Sequence, residues 1–184
     1  MRTDAEGWGK TPGVWHEIVM YGMSSGTGWL IIIGRLWSQS MDDRKEGYSK
    51  QKERAFYEAY EGEEVSDPRV LRLYIETIAG DVQRLLGGAS ILEIGAGRAQ
   101  YARMFREEYD AKRVVASDLV WQQLARDKEL SFRAGVNLCA SDCFSLPFRD
   151  GLFDVVFGSL ISHRFRNMAD VLQEVGRVLK PQGM

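Results

Sequence analysis

The chain has 184 residues, with 24 Lys and Arg against 26 Asp and Glu and a formal net charge of -2. That length favours one domain with a real core, and the interspersed, nearly balanced charge leaves no electrostatic footprint for nucleic acid or an anionic membrane, so neither is expected as a partner. Cys139 and Cys143 are the two cysteines; they offer no disulfide framework and no metal half-site, so no metal is expected and a reducing cytoplasm is the default location.

Residues 1–41 hold four of the five Trp and many Gly. They sustain neither a period of 2 nor one of 3.6, so no element is placed there. Asp4 and Glu6 precede no apolar run of the kind a signal peptide needs, and Trp29-Leu-Ile-Ile-Ile33 is far too short to span a bilayer. Gly22-Met-Ser-Ser-Gly-Thr-Gly28 reads as a flexible turn, since no Lys follows the last Gly and no apolar strand precedes the first. His16 is assigned no role. The composition changes at Met41, where the domain proper is expected to begin after a poorly defined Gly/Trp-rich extension.

Residues 42–88 read as a helical region. Residues 42–61 are amphipathic, with Phe56, Tyr57 and Tyr60 on neighbouring faces. Ser66-Asp67-Pro68 combines a capping side chain with a first-turn Pro, and Val70, Leu73, Tyr74, Ile78, Val82, Leu85 and Leu86 continue a helical stripe that Gly87-Gly88 ends. From residue 89 to 184, short apolar runs alternate with helical ones. Strands are predicted near 90–94, 113–117, 136–140 and 153–158, with helices near 99–109, 120–130 and 167–179. That alternation is the pattern of a parallel α/β sheet. Right-handed crossovers then bring the strand ends that carry Glu93, Asp118, Asp142 and Ser159 to one edge.

The most informative stretch is Ile91-Leu-Glu-Ile-Gly-Ala-Gly-Arg-Ala-Gln100, a strand that breaks into a Gly-rich turn and opens a helix. Gly95 and Gly97 allow close backbone approach, the helix aims its first N–H groups at an anion, and Asp118 ends the next strand where it can accept from a ribose diol. This reads as a site for an adenosine-containing cofactor. A dinucleotide fingerprint needs Gly or Ala at position 100, where Gln stands; the small residue, Ala99, comes one place early. A nicotinamide-dependent oxidoreductase is therefore disfavoured.

Glu93-Ile-Gly-Ala-Gly-Arg-Ala99 resembles the first motif of class I S-adenosylmethionine-dependent methyltransferases, with Ala99 in place of the last Gly. Val114-Val-Ala-Ser-Asp118-Leu, Ser141-Asp142-Cys-Phe-Ser-Leu-Pro-Phe148, Phe153-Asp-Val-Val-Phe-Gly-Ser159 and Val171-Leu-Gln-Glu-Val-Gly-Arg-Val-Leu-Lys-Pro181 follow in the family's order. The likeness covers roughly residues 67–184. It implies a Rossmann-like, doubly wound, mostly parallel sheet with N-terminal helices, and S-adenosyl-L-methionine as cofactor. The N–H groups of Gly95, Ala96 and Gly97 would face the amino-acid tail, with Glu93 giving negative potential near its ammonium. Asp118 would accept from the ribose and Leu119 would lie on an adenine face. Asp142 would accept from the adenine amino group while the Cys143 N–H meets a ring nitrogen. Ser159, ending the fourth strand, would also bind the cofactor. His163, just beyond it, is the candidate general base, and Tyr48, Phe56, Tyr57 and Tyr60 are candidates for a lid. Arg98 reads as ligand-touching or solvated, and Asp154 as structural.

An Asn/Asp-Pro-Pro-aromatic signature after the fourth strand and a Pro-Cys nucleophile are both absent. The pattern is instead similar to family members acting on small molecules, so a small-molecule methyl acceptor is expected. The family's seven strands run 3-2-1-4-5-7-6, and this chain is expected to be truncated after about four. Strand 153–158 would then be an exposed apolar edge unless a protein partner, a second copy or the N-terminal segment covers it. Weak stability and impaired turnover follow from that expectation. The competing reading is a catalytically silent cofactor-binding module that acts through a partner at this open edge.

Overall fold

The computed structural model describes residues 15–22, 29–36, 50–59, 68–79, 82–159 and 168–181. The chain order is β1 (Trp15–Gly22), β2 (Trp29–Leu36), α1 (Lys50–Ala59), α2 (Pro68–Ala79), α3 (Val82–Leu86), β3 (Ser90–Ile94), α4 (Gln100–Glu107), β4 (Arg113–Asp118), α5 (Trp121–Arg126), α6 (Lys128–Arg133), β5 (Val136–Ala140), β6 (Val155–Ser159) and α7 (Met168–Val178). They build one six-stranded sheet in the order β1-β2-β6-β3-β4-β5. The four strands expected from residue 90 onward lie side by side and parallel.

The apolar runs of these strands are continuous because both faces of a parallel sheet are covered. Successive side chains point to opposite faces, and the core divides accordingly. Ile91, Val114, Ala116, Val155 and Phe157 pack with Leu71 and Ile75 of α2 and Ala102 and Phe105 of α4. Leu92, Ile94, Val115 and Val156 pack with Val171, Val175 and Val178 of α7. Leu73, placed on the apolar stripe of α2, is instead 65% exposed. Two expected helices are broken: Asp127 separates α5 from α6, and α2 ends before α3 begins.

The N-terminal segment departs most from expectation. β1 and β2 pair antiparallel as a hairpin. β2 then runs parallel to β6 through Ile31 opposite Phe157, Ile32 opposite Gly158 and Ile33 opposite Ser159. Of the ways to cover that edge, a partner, a second copy or the N-terminal segment, the structure shows the last, in the place the resemblance gives to a fifth strand. Residues 29–36 show why the sequence did not reveal this: Leu30-Ile-Ile-Ile33 is an uninterrupted apolar run, as a parallel strand requires, and a search for alternation passes over it. Among the described residues no helix is long and apolar enough to cross a membrane.

Candidate functional site

The register of the sheet sets the strand ends at one level. Ile94 pairs with Ser117 on one side and Gly158 on the other, and Ser117 pairs with Cys139. The turn after β3, the Asp118 end of β4, Ser141-Asp142 after β5 and Ser159 at the end of β6 therefore converge at the carboxyl edge, where open α/β sheets bind ligands.

Side chains and backbone lock this edge. The turn takes positive φ at Gly95 (65°), Gly97 (52°) and Ala99 (57°), an alternation that curls backbone N–H groups into a concave nest suited to anions. Ala99 is fully buried in the core, so Ala fits the family's Gly position sterically while keeping a left-handed backbone. Some of the N–H groups expected to face the cofactor tail are answered by the protein: Ala96 donates to the Ser117 carbonyl at 3.0 Å and Ala99 to the Ala96 carbonyl at 2.7 Å. Gly97 donates to Asp118 Oδ2 at 2.8 Å. The other Asp118 oxygen accepts from Val120 N–H at 2.8 Å. Asp118 thus bridges the loop after β3 and the loop after β4 through both of its carboxylate oxygens.

Glu93 lies on the α4 side of β3, 2% exposed, and its Oε2 accepts from Ala102 N–H at 2.9 Å. Ala99 supplies no side-chain cap to α4; the strand carboxylate satisfies one of the helix's orphan donors instead, complementing its positive end. Asp142 Oδ1 accepts from Phe144 N–H at 3.0 Å, closing its own turn, and Ser145 N–H donates to the Asp142 carbonyl. Ser141 ties this loop to β4, its N–H bonding the Asp118 carbonyl at 2.9 Å and its hydroxyl meeting that of buried Ser117. Leu119, Cys143 and Ser159 are half-buried at the same edge. Burial raises the pKa of the Cys139 thiol, more than a hydrogen bond from Ser141 lowers it; it is neutral at physiological pH.

Arg98 neither points free into solvent nor resembles a lone ligand contact. Its guanidinium forms a two-pronged pair with Asp127, Nε to Oδ2 at 2.9 Å and Nη2 to Oδ1 at 2.8 Å. No spacing in the sequence marks Asp127 as its partner. Asp154 is structural, as expected: it accepts from Ser90 N–H at 2.9 Å and pairs with Lys180 Nζ at 2.7 Å, joining the starts of β3 and β6 to the end of α7. The Glu174 and Arg177 pair explains the last motif. Glu174 accepts from Leu146 N–H, while Arg177 reaches the Leu146 and Phe148 carbonyls, so α7 holds the loop that follows Asp142. Trp121, 43% exposed at the start of α5, stands beside the site and was not anticipated. His163, Tyr48 and Tyr60, and the side chain of Tyr57, lie outside the described residues. Phe56 of the expected lid is 58% exposed, and Glu58 on the same helix accepts from Gln122 at 3.3 Å, setting α1 beside α5.

A family model described as Methyltransferase domain matches residues 92–184. The chain is 36% identical over 98 residues to a demethylmenaquinone methyltransferase of Thermus thermophilus, covering 50% of this chain and 43% of the relative. It is 28% identical over 112 residues to a ubiquinone/menaquinone biosynthesis C-methyltransferase of Desulfotalea psychrophila, covering 61% and 44%. The chain thus spans less than half the length of these curated relatives. Among solved structures, an S-adenosylmethionine-dependent methyltransferase of Mesorhizobium loti superposes with a TM-score of 0.51 at 25% identity, over 62% of this chain and 49% of the other. The ordered motifs, the strand order and these matches agree: the chain belongs to the class I S-adenosylmethionine-dependent methyltransferase family.

Proposed function

We propose that this chain takes part in methyl transfer from S-adenosylmethionine to a small-molecule acceptor. One observation carries the reading: Gly97 and Asp118, on neighbouring strand ends, are joined at 2.8 Å across the mouth of a left-handed turn. That pairing puts a left-handed backbone turn at a helix start beside a strand-end carboxylate, the two chemistries that an amino-acid tail and a ribose demand. When bound, the cofactor supplies a sulfonium methyl that is already electrophilic. The chain's part is to hold and aim, and near-attack positioning supplies much of the acceleration in such displacements.

In this reading Asp118 accepts from the ribose hydroxyls and Leu119 covers one adenine face. Asp142 and the Cys143 N–H read the adenine edge, and the buried Glu93 charge favours the ammonium of the tail. Ser159, at the end of β6, binds the cofactor. His163 removes a proton where the nucleophile carries one, and α1, with Phe56, covers the pocket from beside Trp121. The quinone-directed relatives support a small, aromatic acceptor. The charge balance supports neither nucleic acid nor an anionic membrane as partner, and the cysteine usage supports a cytoplasmic location. The silent-module reading loses its motivating feature, since β2 covers the edge where a partner was to dock.

Calorimetry with S-adenosylhomocysteine, followed by a methyl-transfer assay on quinols and phenols, tests this. Binding with transfer supports it; a folded chain that takes up neither S-adenosylmethionine nor its demethylated product sinks it.

A further inference from the structure

The glycine turn is held from outside as well as by Asp118. Residue 98 sits between two residues of positive φ, Gly97 and Ala99, a geometry that tolerates few neighbouring conformations. Its side chain is fixed in the fork to Asp127, and its carbonyl accepts from Arg103 Nη1 at 2.6 Å. Arg103 closes the circuit, with Nη2 3.6 Å from Asp127 Oδ2 and Nη1 3.3 Å from Ser131 Oγ. Asp127 is 12% exposed between guanidiniums that are 32% and 14% exposed. One shielded carboxylate is therefore shared by two cations at the turn. Asp127 also sits at the break between α5 and α6, on the segment that leaves Asp118.

We propose that Asp127, through Arg98 and Arg103, is a positioning residue that sets the orientation of the peptide groups between Gly97 and Ala99, and with it the selectivity of the site for a ligand bearing an amino-acid tail. This rests on the functional reading above. The carboxylate touches no part of the ligand. It holds both ends of residue 98, so whatever the tail meets at the turn is met in an orientation already set, and the ordering cost falls on folding rather than on binding. Removing the charge leaves two guanidiniums facing each other, and the turn loses its outer anchor. The adenosine end keeps the Val120 N–H bond to Asp118 and the tie from Ser141 N–H to the Asp118 carbonyl.

The test compares two probes by calorimetry. S-adenosylhomocysteine carries the tail; 5′-methylthioadenosine has the same nucleoside and sulfur without it. Asp127→Asn and Arg98→Lys, the second keeping charge while losing the fork, are each expected to weaken S-adenosylhomocysteine about tenfold. Binding of 5′-methylthioadenosine should stay within about twofold. Equal weakening of both probes, as general loosening of the fold would give, overturns the proposal, as does undiminished binding of S-adenosylhomocysteine. If Asp127→Asn does not fold by circular dichroism, Arg98→Lys decides alone. Wild-type protein that binds neither probe overturns the functional reading as well, so the two failures differ.

Discussion

At Asp118 a single side chain does two things that mutation will not separate easily. It answers Gly97 and Val120 N–H groups and, in the proposed function, accepts from the ribose. Asp118→Ala removes charged acceptors worth about 1.5–3 kcal/mol each, so calorimetry should show S-adenosylhomocysteine weakened by roughly tenfold to more than a hundredfold. The same change frees two backbone donors, so the melting temperature should fall in the ligand-free protein too; an unchanged value would show that the turn does not depend on the bridge. Ala99 poses a finer balance. Ala99→Gly relieves a left-handed backbone costing about 1–2 kcal/mol but gives up a buried methyl of about 0.8 kcal/mol and adds unfolded-state entropy of about 0.4–1 kcal/mol. Denaturant unfolding should place it within about 1 kcal/mol of wild type. Ala99→Val, branched where φ is positive and packed where no space remains, should lose about 2–4 kcal/mol. Glu93 and Asp118 could be placed on their strands from the sequence because each lies in an apolar run of the α/β alternation. Asp127 could not, because only folding brings it to Arg98.

Elements show the same division. Strands β3 to β6 were legible because each is a short apolar run between helical ones. The α5/α6 break was not, since nothing around Asp127 lowers helix propensity enough to mark it. Helix α7 illustrates what a motif is for: Glu174 and Arg177 reach back to the loop after β5, and Lys180 to Asp154. Arg177→Ala should lower the midpoint of denaturant unfolding, because two carbonyls and the Glu174 carboxylate lose their cation together. Acid should act on these elements first. The hydrogen bond from Arg177 lowers the Glu174 pKa below its ordinary 4.5. At Asp154 burial pushes upward, but Lys180 and the Ser90 N–H outweigh it and the value falls below 3.8. For a lowered carboxylate the unfolded chain binds the proton first, so the stabilisation is complete above the ordinary value and is lost as pH falls through the native one. Melting temperatures should therefore decline on acidification below about pH 4.5. Glu174→Gln should flatten that decline, and an equally steep curve in the variant would refute the assignment.

On the scale of the whole molecule, the sheet recruits the two strands at one of its ends from the segment that looked least structured. Taking residues 1–40 for an extension predicts an unchanged melting temperature when they are removed. The hairpin on β6 predicts the opposite: exposure of the β6 ladder, loss of about 3 kcal/mol, a melting temperature lower by about 10 °C, and aggregation through the freed edge. Scanning calorimetry with light scattering on the shortened chain distinguishes the two.

That pairing also sets a timetable. Ile32 finds Gly158 across nearly the whole described length, while β1 and β2 can meet at once. During synthesis the hairpin leaves the ribosome long before the strand it must adjoin, and closing so distant a contact is slow. Newborn molecules thus pass through an interval in which Leu30-Ile-Ile-Ile33 waits without its neighbour, and this is when a chaperone would matter most to them.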